Sequence, residues 1–261
     1  MLSAGARQIV IGVAITLSGL TKCYGAHVAL DDVSLDIAQG SFVALVGSSG
    51  SGKTTLLKTI NRLIEPDRGT IRIDGTDISD TPVAELRREI GYVFQGIGLF
   101  PHMSVAENIG IVPRLNGGGA STGIDELMRL TALPPALANR YPRQLSGGQA
   151  QRVGLARALA AQPKLMLMDE PFGALDPVTR DDLGRAYRAL HEQMKLTTIL
   201  VTHDMAEALL LADRVIVLGG GRILADATPR ELANGHSDPA VAALIDVPRR
   251  QAERMAELAR R

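Results

Sequence analysis

The chain has 261 residues, 46% of them hydrophobic, enough to bury a substantial core in one large domain or two small ones. Lys plus Arg and Asp plus Glu each total 28, so the formal net charge is zero and no global basic field argues for a nucleic-acid partner. The single cysteine, Cys23, excludes an intramolecular disulfide and a cysteine-built zinc cluster, and points to a reducing, cytosolic compartment.

The best apolar run, residues 9–17, is shorter than the roughly 20 residues needed to cross a bilayer. It lacks the charged start and small-residue cleavage pattern of a signal peptide, and reads as a first strand with its lead-in. Strands follow at 14–20, 29–37, 42–46 and 70–73, with turns at Gln39-Gly40 and Asp74-Gly75. A helix from Lys53 to about residue 63 interrupts them. Glu85 opens a short helix, and 90–94 is a strand ending at Gln95. The stretch 96–113 reads as a loop with a helical piece at 104–109, where Ser104 and Glu107 fit a capping box.

Between about 114 and 161 the strand signal gives way to helical periodicity, broken at Gly117-Gly118-Gly119 and Pro134-Pro135, as expected of an inserted helical subdomain. Strand and helix then alternate over 165–168, 177–194, 197–202, 204–212 and 214–218. This order argues for a largely parallel sheet with helices on both faces. Residues 229–232 and 239–261 read as helical, the last part amphipathic and rich in Arg, Glu and Ala.

Gly47-Ser48-Ser49-Gly50-Ser51-Gly52-Lys53-Thr54 fits the G-x-x-x-x-G-K-[ST] phosphate loop in full, between an apolar strand and a helix. The glycines let the backbone curl so that successive N–H groups face phosphate oxygens. Lys53 adds a point charge for the β- and γ-phosphates of a nucleoside triphosphate. Thr54 offers a hydroxyl to Mg²⁺, and Thr55 continues the helix. Downstream, the apolar run 165–168 delivers Asp169 and Glu170 at its carboxyl end, where an α/β sheet places its ligand. Asp169 suits the Mg²⁺ shell and Glu170 suits polarising a water for attack on the γ-phosphate.

Leu145-Ser146-Gly147-Gly148-Gln149 separates the chain from kinases and small GTPases, because it resembles the signature of ATP-binding cassette (ABC) ATPases. Physically, Ser146 and two glycines opening a helix over 149–160 make a second anion site, with a hydroxyl and a favourable dipole end. Other motifs of the family fall in order between about residues 15 and 221. By this resemblance Tyr24 stacks on adenine, Gln95 links Mg²⁺ and the attacking water to the partner interface, Asp176 reaches across the dimer, and His203 is the switch histidine. The residues alone also allow plainer roles: Tyr24 as a strand-end aromatic, Gln95 as a strand cap, His203 as a structural strand-end histidine, and Asp176 as the cap of the helix opening at Pro177.

The resemblance implies an α/β phosphate-loop NTPase of ABC ATPase type: a mainly parallel sheet core, an N-terminal antiparallel β subdomain, and a helical subdomain inserted at about 97–161. Residues 1–248 would form the ATPase domain and 249–261 a short helical tail. It further implies an ATP-driven, head-to-tail dimer in which ATP is sandwiched between the phosphate loop of one cassette and the Ser146–Gln149 signature of the other, with Mg²⁺ as cofactor. The expected partners are a second, identical ATPase subunit, permease subunits and, indirectly, a solute-binding protein, at the cytoplasmic face of a bacterial inner membrane.

The segment Gly96-Ile97-Gly98-Leu99-Phe100-Pro101-His102-Met103 is where the family meets its permease, and Leu99, Phe100 and Met103 are candidates for an apolar contact patch or for internal packing. Its wording, with Glu107-Asn108-Ile109 and Pro248-Arg249-Arg250, is similar to importers of quaternary amines such as glycine betaine, choline or carnitine. The chain stops at Arg261, so gating by paired nucleotide-sensing modules, as carried by some of those ATPases, is not expected. Import of another small solute such as an amino acid, and a soluble ABC ATPase acting on DNA or ribosomes, are the alternatives.

Overall fold

The computed structural model describes residues 13–96, 98–118, 123–173 and 175–260. The lead-in at 9–12, Ile97, Gly119 and Ala174 lie outside the described residues. In chain order the elements are β1 (Val13–Tyr24), β2 (His27–Ala38), β3 (Phe42–Val46), α1 (Lys53–Ile60), β4 (Arg68–Ile73), β5 (Thr76–Asp77), α2 (Val83–Glu89), β6 (Ile90–Val93), α3 (Val105–Leu115), α4 (Ile124–Leu130) and α5 (Gly147–Leu159). Then come β7 (Leu165–Asp169), α6 (Pro177–Met194), β8 (Thr197–Thr202), α7 (Met205–Leu211), β9 (Arg214–Gly219), β10 (Arg222–Ala227), α8 (Pro229–Ala233) and α9 (Pro239–Ala259).

Two sheets form among the described residues. One is antiparallel, in the order β2-β1-β4-β5; the other runs β10-β9-β3-β8-β7-β6 and is parallel except for β10. The parallel strands are buried on both faces, and the period-2 geometry of a strand divides their side chains between two cores. Phe42, Ala44 and Val46 of β3 join one core, while Val43 and Leu45 join the other. The second core holds Leu56, Leu57 and Ile60 of α1 with Ile15, Leu17 and Leu35 of the antiparallel sheet. The first holds Val153 of α5, Leu183 and Tyr187 of α6, Ala208 of α7, and the helical subdomain through Val105, Ile109, Leu127 and Met128. Each such leucine or valine removed from water contributes about 1.5–3 kcal/mol.

Local chemistry sets the helix boundaries. Ser104 and Glu107 make the expected capping box on α3, which runs past residue 109 to Leu115 and carries Pro113 in its last turn without the N–H bond that proline cannot donate. Asp176 caps α6 and Pro177 is its first helical residue, while Lys195 closes it in the left-handed conformation. The helix α9 continues unbroken through Pro248. The strand β10 is added to those read from sequence; it folds back on β9 through Gly220 and Gly221, both at positive φ.

One buried polar cluster ties α6 to β8. Thr198 Oγ1 lies 2.9 Å from both Tyr187 Oη and His191 Nδ1, and the Phe42 ring packs against both aromatic groups. Burial, reinforced by the Arg188 charge, holds the His191 imidazole below its ordinary pKa. In the unfolded chain that imidazole titrates near about 6.5, so as pH falls the unfolded state takes up the proton first. Stability should therefore decline as pH drops through about 6.5 toward the lower folded value. Urea midpoints measured above and below that window test this. His191→Gln should flatten the slope, and an unaltered slope would assign the acid sensitivity to other groups.

Candidate functional site

Four neighbouring strands, β3, β8, β7 and β6, end at one edge of the sheet, and each is followed there by a residue singled out from sequence: Gly47 after Val46, His203 after Thr202, Glu170 after Asp169, and Gln95 shortly after Val93. The parallel register brings the ends level, with Val46 opposite Thr202 and Asp169 opposite Val201. This is the carboxyl edge at which open α/β sheets bind ligands. A cavity of about 710 Å³ lined by Ile15, Glu85, Lys164 and Thr197 lies at the opposite, amino end of the strands, so it is not the phosphate site.

At its two ends the loop 47–52 presses against the rest of the molecule so closely that side chains are excluded. A Cβ on Gly47 would lie 2.2 Å from the Leu218 carbonyl oxygen, and one on Gly52 would lie 2.3 Å from that of Ala29. Gly52 is the N-cap of α1 in a left-handed conformation, φ 101°, and supplies no capping side chain. The first N–H groups of α1 are therefore left for an anion, unlike those of α3, α5 and α6, which Ser104, Ser146 and Asp176 cap. Ser48 and Ser51 close the loop by an N–H to carbonyl bond of 3.2 Å.

Lys53 stands at the centre of the loop, 6% exposed, donating to the carbonyls of Gly47 and Ser48 at 2.8 Å each and approaching Ser51 Oγ at 3.4 Å. Burial lowers its pKa, opposed by the charges of Glu170 and Asp169. Next to Lys53 in the first turn of α1, Thr54 Oγ1 donates to Asp169 Oδ1 at 2.9 Å. Burial raises the Asp169 pKa, and the Thr54 hydrogen bond and the charges of Lys58 and Lys53 counter the shift. A hard cation beside Thr54 and Asp169 would complete that compensation. The two groups offer one hydroxyl and one carboxylate, a donor set that suits Mg²⁺ sharing its octahedral shell with phosphate and water.

Glu170 has φ 47°, a left-handed conformation uncommon for a non-glycine residue and concentrated at functional sites. Its N–H donates to Val201 O at 2.9 Å, and its Oε2 lies 3.3 Å from His203 Nδ1. The His203 side chain is 65% exposed, so its ring is not packed into the core.

Other contacts hold the remaining candidates. Tyr24, 48% exposed, ends β1; Lys22 Nζ sits 5.8 Å from its ring centroid, and Asp67 holds the strand end through Lys22 Nζ at 2.8 Å and Cys23 N at 2.7 Å. Gln95 is exposed. Ser146 and Gln149 form a capping box at the start of α5, so Gly147 and Gly148 lie within its first turn. A Cβ on Gly148 would lie 3.3 Å from Leu175 Cδ2, and the neighbouring Asp176 accepts at Oδ1 from Thr179 N at 3.0 Å. Among the described residues, no hydrogen bond or ion pair joins Tyr24, Gln95, the 146–149 segment or Asp176 to the phosphate loop, Asp169 or Glu170.

In the segment after Gln95, Phe100 is 41% exposed while Leu99 packs against the core. Asn108, fully buried, brackets this loop by accepting from Phe100 N and donating to the carbonyls of Phe100, Met103 and Ser104. Arg180 and Asp204 also border the site, and sequence reasoning passes over them; an Asp directly after His203 and before a helix is the signal for the second.

A family model described as ABC transporter matches residues 30–173. The chain is 48% identical over 235 residues to the choline transport ATP-binding protein of Bacillus subtilis, covering 88% of this chain and 62% of that protein. It is 51% identical over 218 residues to the glycine betaine uptake system ATP-binding protein of Escherichia coli, covering 82% of this chain and 71% of that protein. A solved dimer of an ATP-binding cassette in a post-hydrolysis state, bound to ADP and Pi, is similar with a TM-score of 0.76 and 35% identity over 83% of this chain and 99% of that chain. The chain thus spans less than two thirds of the first of these relatives and more of the other two.

Proposed function

The chain belongs to the ABC transporter family of ATP-binding cassettes, and from that premise we propose that it binds and hydrolyses ATP to energise a membrane importer of quaternary-amine osmoprotectants such as glycine betaine or choline. The observation that carries the ATPase reading is the convergence of phosphate loop, acid pair and histidine at the carboxyl ends of β3, β7 and β8.

In this reading the N–H groups of the loop from Gly47 to Gly52 and of α1 hold the triphosphate, with Lys53 on the β- and γ-phosphates and Tyr24 against the base. Thr54 and Asp169, with Gln95, would hold Mg²⁺, an ion that would neutralise charge on the phosphate oxygens. Glu170 orients the attacking water and accepts its proton. His203, 3.3 Å from Glu170 through Nδ1, donates to Glu170 or to the γ-phosphate. Among the described residues, no hydrogen bond or ion pair joins the chain's own signature at Ser146, Gly147, Gly148 and Gln149 to its phosphate loop. A second copy, offering its signature and Asp176, supplies the missing half, consistent with the dimeric cassette to which the fold is similar.

Among the described residues no helix is long and apolar enough to cross a membrane. Attachment to the cytoplasmic face of the inner membrane is accordingly assigned to permease subunits docking near Phe100. The solute reading draws support from the two transport relatives and from the segment after Gln95. Tagged chain purified from its native membranes should carry a permease with it, and depleting the chain should abolish choline or glycine betaine uptake. Loss of a different solute's uptake would overturn the substrate, and co-purification of ribosomes or DNA would overturn the importer.

A further inference from the structure

We propose that Arg180 is a positioning residue for hydrolysis, tying the partner-facing loop at Leu175 and Asp176 to the turn that carries His203. The proposal rests on the assignment of Glu170 and His203 above.

Arg180 lies in the first turn of α6, where its own N–H bonds the Asp176 carbonyl at 2.9 Å. Its guanidinium then reaches in two directions. Nη2 donates to the Leu175 carbonyl at 3.2 Å, and Nη1 lies 3.5 Å from Asp204 Oδ2. Asp204 is itself held firmly: its N–H donates to Thr202 Oγ1 at 3.0 Å, and its Oδ1 accepts from Ala206 N at 2.9 Å and Glu207 N at 3.2 Å as the cap of α7. His203 is the one residue between those two anchors, and its Nδ1 is 3.3 Å from Glu170 Oε2.

A continuous path therefore runs from the loop that would meet a second cassette, through one rigid planar group, to the histidine beside the water-orienting carboxylate. A guanidinium holds two acceptors at a fixed separation, whereas an ammonium is a single point charge on a flexible stem. A side chain on Gly148 of the chain's own signature would meet Leu175 Cδ2 at 3.3 Å, so the two partner-facing segments lie side by side next to the carbonyl that Arg180 grips. Arg180 thereby sets the distance from His203 to Glu170 according to the position of the Asp176 loop.

The test uses the purified full chain carrying Arg180→Ala, Arg180→Lys, His203→Ala and the double variant Arg180→Ala/His203→Ala. Arg180→Ala should lower kcat on the order of tenfold through misplacement of the histidine, with KM within about twofold because the phosphate cradle is untouched. Arg180→Lys should not restore the rate. In the His203→Ala background the same Arg180 change should cost less than about twofold, since the group it positions is gone. An equal loss in both backgrounds, or wild-type kcat in Arg180→Ala, overturns the proposal. Wild-type kcat in His203→Ala would instead overturn the hydrolysis assignment beneath it. If Arg180→Ala does not fold, Asp204→Asn keeps the α7 cap while weakening the arginine contact, and should show the same dependence on His203.

Discussion

Glu170→Gln should bind ATP as tightly as the parent chain and accumulate as a stable ATP-bound dimer. The amide matches the carboxylate in shape, tolerates the same backbone conformation about as well, and keeps an oxygen facing His203 Nδ1, so the site is not disturbed. It cannot accept the proton of the attacking water, and loss of a positioned general base costs on the order of 10²–10⁴ in rate. The substitution breaks no hydrogen bond made by Lys53 or Thr54, which carry the phosphates with the loop 47–52. Size-exclusion chromatography with and without ATP, beside single-turnover hydrolysis, measures both halves of the expectation. Rapid turnover would remove Glu170 from its role, and nucleotide enclosed within one chain would overturn the shared site.

The phosphate loop is legible in the sequence because its information is local: glycine spacing, one lysine, and a strand and helix on either side. The same holds for α6, whose start is written in Asp176-Pro177. The end of β1 is less legible. Cys23 pairs with Val28 and Tyr24 with His27, but these side chains are exposed, so no burial alternation announces the pairing. The helical piece read at 104–109 stops short of Pro113, yet α3 continues through that residue to Leu115 without the N–H bond that proline cannot donate. The strand β10 is marked only by the Gly220-Gly221 turn before it.

Contacts between distant residues are hidden for a different reason. The closeness of Glu170 to His203 depends on β7 lying beside β8, and Thr54 meets Asp169 only because α1 packs over those strands. Sequence patterning names the strands without ordering them. Motif chemistry thus identifies most candidate residues, while the pairings among them, and the reach of Arg180 to Asp204, come from topology.

Lys53→Ala should weaken nucleotide binding itself rather than turnover. The ammonium is nearly buried and held by two loop carbonyls, so it is already placed and stripped of most water before phosphate arrives. Charge-assisted hydrogen bonds of this kind are worth about 1.5–3 kcal/mol, or roughly 10- to 150-fold in affinity. Binding should not vanish, because the uncapped N–H groups of α1 remain. Titration of a fluorescent ATP analogue reads the loss directly, with thermal unfolding as the control for folding. Combining the change with Glu170→Gln separates binding from chemistry: if ATP is the bridge between two cassettes, the double variant should stay monomeric at nucleotide concentrations that dimerise Glu170→Gln alone. A dimer that persists there would mean that the copies associate through some surface other than the triphosphate, and that Lys53 does not control the bridge.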